Sequence, residues 1–453
     1  MMGRRSVDQR ALFYEFDLDA VVPKGHLLRR IDPFVNEALS DLHTELAPFY
    51  SEIGRPSVDP ELMVRMLIVG YCFGIRSERR LCDEVAMHLA YRWFCRLDLE
   101  DRIPHHSTFS ENRLGRFRES DVLRHVFERV VQAGMAHGLV KGEGFAVDAS
   151  VIEADASRYH GVAPDEIDWT DEQRQKRAVR EYLEAMEEAA PDPVRKTPKV
   201  ISPSDPASAW TAKANKRVQF GYGLNYLIDN ENAIIVDVEA TPARTYDEVA
   251  ATKGMIKRTQ RRLGLKPGRL AGDSAYGTGD FLAWLIKQKI APHVTVRDLS
   301  ARKDGTFSRA DFAFDQQRDQ YTCPGGKLLK QYRRNFTIPR SGVTRNGMRV
   351  YRASKLDCQI CPLKPRCCPD IPARKVQRHI HEDARDHARQ LSTTAEFARS
   401  FDERKKVEMR FAHLKTHHRF ERMRLGGLSG ARDEFHLTAI VQNRKTMAMR
   451  LAN

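Results

Sequence analysis

Phe401, Arg404, Glu408 and Lys415 share one stripe if residues 401–415 are helical, because at 3.6 residues per turn they lie within about 60° of one another. A carboxylate is thereby set between two cations. Such a stripe can hold a divalent cation on the acid and a phosphodiester on the bases, since hard cations take carboxylate oxygen and phosphates take Arg or Lys. A solvated, salt-bridged helix face has the same composition, so partners for Glu408 must decide between the two. Two acids qualify, each in an otherwise apolar or small run: Asp148 in Gly144-Phe-Ala-Val-Asp148-Ala-Ser and Asp273 in Gly268-Arg-Leu-Ala-Gly-Asp273-Ser-Ala-Tyr-Gly. A strand-end acid is costly unless it is hydrogen-bonded, paired or bound to a metal. Three carboxylates around one or two Mg²⁺ or Mn²⁺ ions suit in-line phosphodiester chemistry. Glu153 and Asp155 lie near the first acid, but only Asp148 follows the apolar run directly.

The elements that must position these side chains follow from the patterning. Residues 1–140 read as helical: Pro60 to Cys72 has apolar residues at helical spacing, Ser77-Glu-Arg-Arg-Leu and Arg92-Trp-Phe suit shorter helices, and Ser107 is a candidate N-cap for the next. A DNA-binding helical domain and a plain bundle both fit. From about 144 the period changes. Gly144 to Ser150 reads as a strand, and 161–210 as an inserted arm with one helix near Arg174 to Ala190. Phe220 to Ile228 and Ala233 to Ala240 read as a hairpin turning at Asp229-Asn-Glu-Asn. Helices fit Asp247 to Leu263 and Phe281 to Lys289, with strands at Gly268 to Asp273 and Pro292 to Val296. This order implies an α/β fold, a mixed sheet flanked by helices, over 141–300. Helical periodicity resumes from His381 through Lys415, and a last helix covers Asp433 to Leu451, so 379–453 is expected to complete the core.

The intervening segment, 301–378, breaks the rhythm with basic residues and cysteines. Of eight cysteines, Cys72, Cys82 and Cys95 sit in the apolar helical region and read as buried thiols, whereas Cys323, Cys358, Cys361, Cys367 and Cys368 crowd a polar stretch. In a reducing compartment such a group points to metal and not to disulfides. Cys323, Cys358, Cys361 and Cys367, with Cys368 as the alternative fourth, would offer Zn²⁺ a tetrahedral structural site; loosely ordered reduced thiols are the other reading. The nearby bases Lys327, Lys330, Arg333, Arg334, Arg345, Arg349, Lys355, Lys364 and Arg366 suit DNA contact or plain solvation. The pairs His105-His106 and His417-His418 make poor metal ligands, because adjacent side chains diverge on a helix. Trp210, beside Lys213, Lys216 and Arg217, reads as packing and not as a base-stacking platform.

With 453 residues, 41% hydrophobic and 30% charged, the chain can build several domains with a sizeable core. No apolar run approaches the ~18 residues of a membrane span and no secretory signal is evident, so an intracellular, non-membrane protein is expected. The net charge is +14, and between Arg404 and Arg450 twelve bases face four acids. Clustered positive charge favours a polyanion through counterion release, with nucleic acid first among candidates.

These blocks resemble the DDE-type transposases of bacterial insertion sequences, which have an RNase H-like core. The stretch Ser51 to Arg116 is similar to their helical N-terminal domain, Val147-Asp148-Ala-Ser to the first catalytic Asp block, and Gly272-Asp273-Ser-Ala-Tyr-Gly to the second. The family's Tyr-(2)-Arg-(3)-Glu-(6)-Lys signature matches in spacing at Arg404, Glu408 and Lys415, with Phe401 in place of Tyr. The resemblance implies that Asp148, Asp273 and Glu408 bind the divalent metal and that Arg404 and Lys415, with Phe401 at the aromatic position, contact the transposon ends. It further implies binding of terminal inverted repeats, hydrolysis of one strand at each end, joining of 3′ ends to target double-stranded DNA, and a homodimer on DNA. An RNase H-like nuclease that cuts without joining, or a catalytically inactive DNA-binding protein, would present the same residues.

Overall fold

The computed structural model describes residues 16–451 apart from 52, 55–56, 172–175, 189–197, 213–216, 298–303, 333–336, 339–340 and 345. Lys213, Lys216, Arg333, Arg334 and Arg345 thus lie outside the described residues. The chain divides into two compact units, one of Met1–Gly142, Val147–Lys266 and Lys405–Asn453, the other of Glu143–Ala146 and Pro267–Arg404.

The first unit opens with helices that include Leu27–Leu39, Pro60–Phe73, Glu78–Met87 and Val122–Ala136. Pro60 takes the first helical position, where its missing N–H costs nothing, Asp59 caps through Oδ1 to Glu61 N (2.8 Å), and Gly74 ends the helix at φ 70°. Arg65, which interrupts this apolar run, is 1% exposed and fully engaged: it donates to Glu61 (2.8 Å), Asp32 (3.0 Å) and the Phe94 carbonyl (3.1 Å). Cys72, Cys82 and Cys95 are buried as expected, and burial pushes their thiols up to about 11, 11 and 12. The next helix starts at His106, and His105 is its cap, accepting from Ser107 N through Nδ1.

Strand β1 (Gly144–Glu153) begins in the second unit and continues in the first, where β2 (Ala209–Thr211), β3 (Gln219–Asp229) and β4 (Ile235–Pro242) pair antiparallel. The hairpin turn works through Asp229, whose Oδ1 accepts from Glu231 N and Asn232 N, and Ala233 closes it at φ 57°. β3 is buried on both faces, and a Cβ at Gly221 would stand 2.9 Å from the Ile152 carbonyl of β1, so glycine there is a packing requirement. The arm helix Arg177–Glu188 is tied down by Arg177, which donates to Ser429 Oγ and the Gly426 carbonyl at 2.6 Å each. The last helix, Gly427–Arg450, packs on Pro60–Phe73, Val122–Ala136 and β4, and it starts six residues before the expected Asp433. Among the described residues no helix is long and apolar enough to cross a membrane.

In the second unit, Gly144–Ala146 of β1 pairs in parallel with β5 (Arg269–Gly272), and β5 with β6 (Ala291–Val294), so parallel and antiparallel pairing coexist as in an RNase H-like α/β core. A separate antiparallel sheet follows in the order β11-β10-β9-β8-β7: β7 (Ala313–Asp315), β8 (Gln320–Thr322), β9 (Leu328–Lys330), β10 (Met348–Arg352) and β11 (Lys375–His379). The helical stretch expected from His381 to Lys415 is two helices, Glu382–Leu391 and Ala395–His417. The break is chemical: the hydroxyls of Ser392, Thr393 and Thr394 bond back to the carbonyls of Arg389, Gln390 and Leu391 (2.6, 2.8 and 2.7 Å), and Thr394 then caps Phe397 N.

Candidate active site

Asp148 and Glu408 stand in the first unit with Lys415; Asp273 stands in the second with Phe401 and Arg404. Asp148 is half-buried on β1, where its Oδ1 accepts from Ala149 N (2.8 Å). Asp273 follows β5 directly as the N-cap of the short turn Ser274–Tyr276, Oδ1 accepting from Ala275 N (2.8 Å). Each acid therefore has one oxygen oriented by the backbone. Glu408 is exposed on the long helix.

Lys415 does more than present charge. Its Nζ donates to Ser150 Oγ (2.8 Å) and to the Val151 carbonyl (3.2 Å), which fastens the C-terminal half of the 395–417 helix to β1 just beyond Asp148. In the second unit the N-terminal half is held by Arg269, which donates to Ser400 Oγ (3.1 Å) and pairs with Glu396 and Glu403 at 3.5 Å each; His293 Nδ1 meets the same Ser400 hydroxyl at 2.8 Å. Ser150, Arg269 and Ser400 hold this helix in place, and sequence reasoning missed them. Arg269 alone left a signal, as a base that opens an otherwise apolar, buried strand. Arg404 sits over the Phe401 ring at 5.7 Å, so the phenyl face orients the guanidinium without a phenolic hydroxyl.

Among the described residues no group of three or more His, Cys, Asp or Glu side chains stands at metal-holding spacing. The donor chemistry nonetheless fits a hard divalent cation, because all three acids supply carboxylate oxygen and none is fully buried. Glu153 and Asp155 are occupied elsewhere: Arg422 pairs with both, at 3.7 and 3.3 Å.

His418 is committed to the fold. It is 3% exposed, bonded through Nδ1 to the Tyr71 carbonyl at 2.8 Å, and burial with the Lys445 ammonium nearby pushes its pKa from 6.5 to about 4. A depressed histidine contributes stability that is complete above about 6.5 and is lost as pH falls toward 4, at up to about 1.4 kcal/mol per pH unit. Urea midpoints measured between pH 7.5 and 5 should therefore fall more steeply for the native chain than for His418→Gln; parallel profiles would show that His418 titrates normally.

Residues 16–114 match the family model described as Transposase domain (DUF772), and residues 322–448 match the one described as Transposase DDE domain. No curated protein matches the chain significantly.

Proposed function

The chain belongs to the insertion-sequence transposases of the DDE type, and from that premise we propose that it binds the terminal inverted repeats of its own element, hydrolyses one strand at each end and joins the freed 3′ ends to target DNA. One observation carries the assignment of the site. Within the first unit, Lys415 Nζ donates to Ser150 Oγ and to the Val151 carbonyl, which fastens the helix of Glu408 to the strand of Asp148. Glu408, two helical turns before the Lys415 that is fastened to Ser150, is the third acid in this reading.

Bound at Asp148, Asp273 and Glu408, divalent metal, Mg²⁺ in this proposal, supplies activation of the attacking oxygen and charge neutralisation at the leaving 3′-oxygen. The protein's own share is positional. The backbone N–H groups of Ala149 and Ala275 fix one oxygen of each Asp, so the carboxylates meet their ligand preoriented. Three acids alone would repel a phosphodiester, and Arg404 and Lys415 offset that repulsion on either side of Glu408. Two ends must be processed together, which calls for a dimer on DNA.

The test is a nicking assay with purified protein, Mg²⁺ and a duplex carrying the element's end. Strand cleavage at the end boundary, absent on a scrambled duplex, is expected; equal cutting of both would reduce the protein to a nuclease without end recognition. Phe401 gives a finer check. Phe401→Tyr keeps the ring under Arg404 and should change end affinity little, whereas Phe401→Ala should weaken it about two- to fivefold, the worth of an exposed cation–π pair. Equal affinity of all three forms, by electrophoretic shift, would remove Phe401 from the DNA contact.

A further inference from the structure

We propose that the β7–β11 subdomain holds one structural zinc ion through Cys323, Cys358, Cys361 and Cys368. All five cysteines of the second unit converge on this subdomain, whose strands are three to five residues long and whose core is small: Phe312, Tyr321, Leu329, Tyr351, Ala353 and Val376 with three of the thiols. So little apolar area leaves a fold of this kind dependent on a staple.

The sulfurs form two neighbouring sets. Cys323 and Cys361 flank one point, since a Cβ at Gly325 would meet the Cys361 sulfur at 3.5 Å and the Cys323 sulfur at 3.7 Å. Gly325 therefore keeps open the space between two thiols. Cys358 and Cys368 make the second set, and Cys368 shares side-chain hydrogen bonds with both Cys358 and Cys367. The turn Cys323-Pro-Gly-Gly-Lys327 aims a backbone donor at sulfur, Lys327 N to Cys323 Sγ at 3.3 Å, with Gly326 N closing onto the Cys323 carbonyl at 2.8 Å and φ 74° at Gly326. Among the described residues no three thiols stand at metal-holding spacing as oriented. Rotation about χ1 between staggered wells moves a sulfur without moving backbone, and Zn–S bonds of about 2.3 Å would draw the two sets together with release of the thiol protons.

Cys368, and not its neighbour, is assigned as the fourth ligand because its thiol shares a side-chain hydrogen bond with that of Cys358. The ion would join the β8–β9 turn to the helices Lys355–Gln359 and Lys364–Cys367, segments far apart in sequence. Four sulfur ligands leave no open position, so the role is structural and independent of the carboxylate site.

The experiment is metal analysis of full-length protein purified under reducing conditions without added metal, followed by Co²⁺ exchange. About one zinc per chain and a thiolate-to-cobalt charge-transfer band of a tetrahedral four-sulfur site are expected. Cys361→Ser and Cys368→Ser should lose most of the zinc and Cys367→Ser should retain it. Where a variant is insoluble, titration of the native chain with a thiol-modifying mercurial should release zinc after four equivalents of thiol. Zinc below about 0.3 equivalents would overturn the site; loss with Cys367→Ser but not Cys368→Ser would overturn the assignment of the fourth ligand.

Discussion

Asp148→Asn, Asp273→Asn and Glu408→Gln are each expected to lower DNA nicking by at least about 10³-fold, roughly 4 kcal/mol of activation free energy, while end binding changes little. The changes are isosteric, and Asn still presents an oxygen to the N–H of Ala149 or Ala275, so the local fold is kept. What is lost is anionic oxygen for the metal. Loss of the same magnitude at all three positions is the signature of one shared site, because residues that act as a unit do not contribute additively. Parallel gel-shift and cleavage assays measure both quantities. Retained cleavage in any one variant would remove that residue from the site.

The second large effect is on stability. Glu434 is 1% exposed and accepts from Tyr71 Oη (2.8 Å), Arg76 Nη2 (3.0 Å) and Arg424 N (2.9 Å), while Arg76 also stacks on Phe420 at 4.5 Å. It fastens the Pro60–Phe73 helix, the turn before the last helix and the last helix itself, all within one unit. Glu434→Ala strands a guanidinium that is only 10% exposed and two further donors, and breaking such a buried pair costs about 3–5 kcal/mol. Urea denaturation followed by circular dichroism should show the midpoint drop accordingly. A loss below about 1 kcal/mol would mean that the pair is hydrated in solution.

Much of this was legible in the chain because the informative signals were local. Pro60 after Asp59, the Asp229 turn and the apolar run before Asp148 are read from adjacent residues, and the elements appear where those residues require them. Non-local signals were not legible. Strands β7–β11 are too short to show a period, and Arg65 looked like an interruption because its partners Asp32 and Phe94 lie about thirty residues away on either side. The break at Ser392–Thr394 was overlooked for a different reason: three hydroxyls that turn back on their own helix leave the apolar spacing unchanged. As for the site, residue types and order proposed the acids and cations, but the tie between the strand of Asp148 and the helix of Glu408 shows only in the fold. The Lys415 anchor on Ser150 had no sequence signal at all.

Joining of DNA separates a transposase from a nuclease built on the same residues. Purified protein incubated with Mg²⁺, a pre-nicked end duplex bearing a free 3′-hydroxyl and a supercoiled plasmid should yield end–plasmid joints, each formed through the 3′ strand of the element, and sequencing of those joints reads the result directly. Such joints are expected with the native chain and none with Asp273→Asn. Efficient nicking of the end with no joined product under any divalent metal would contradict this expectation.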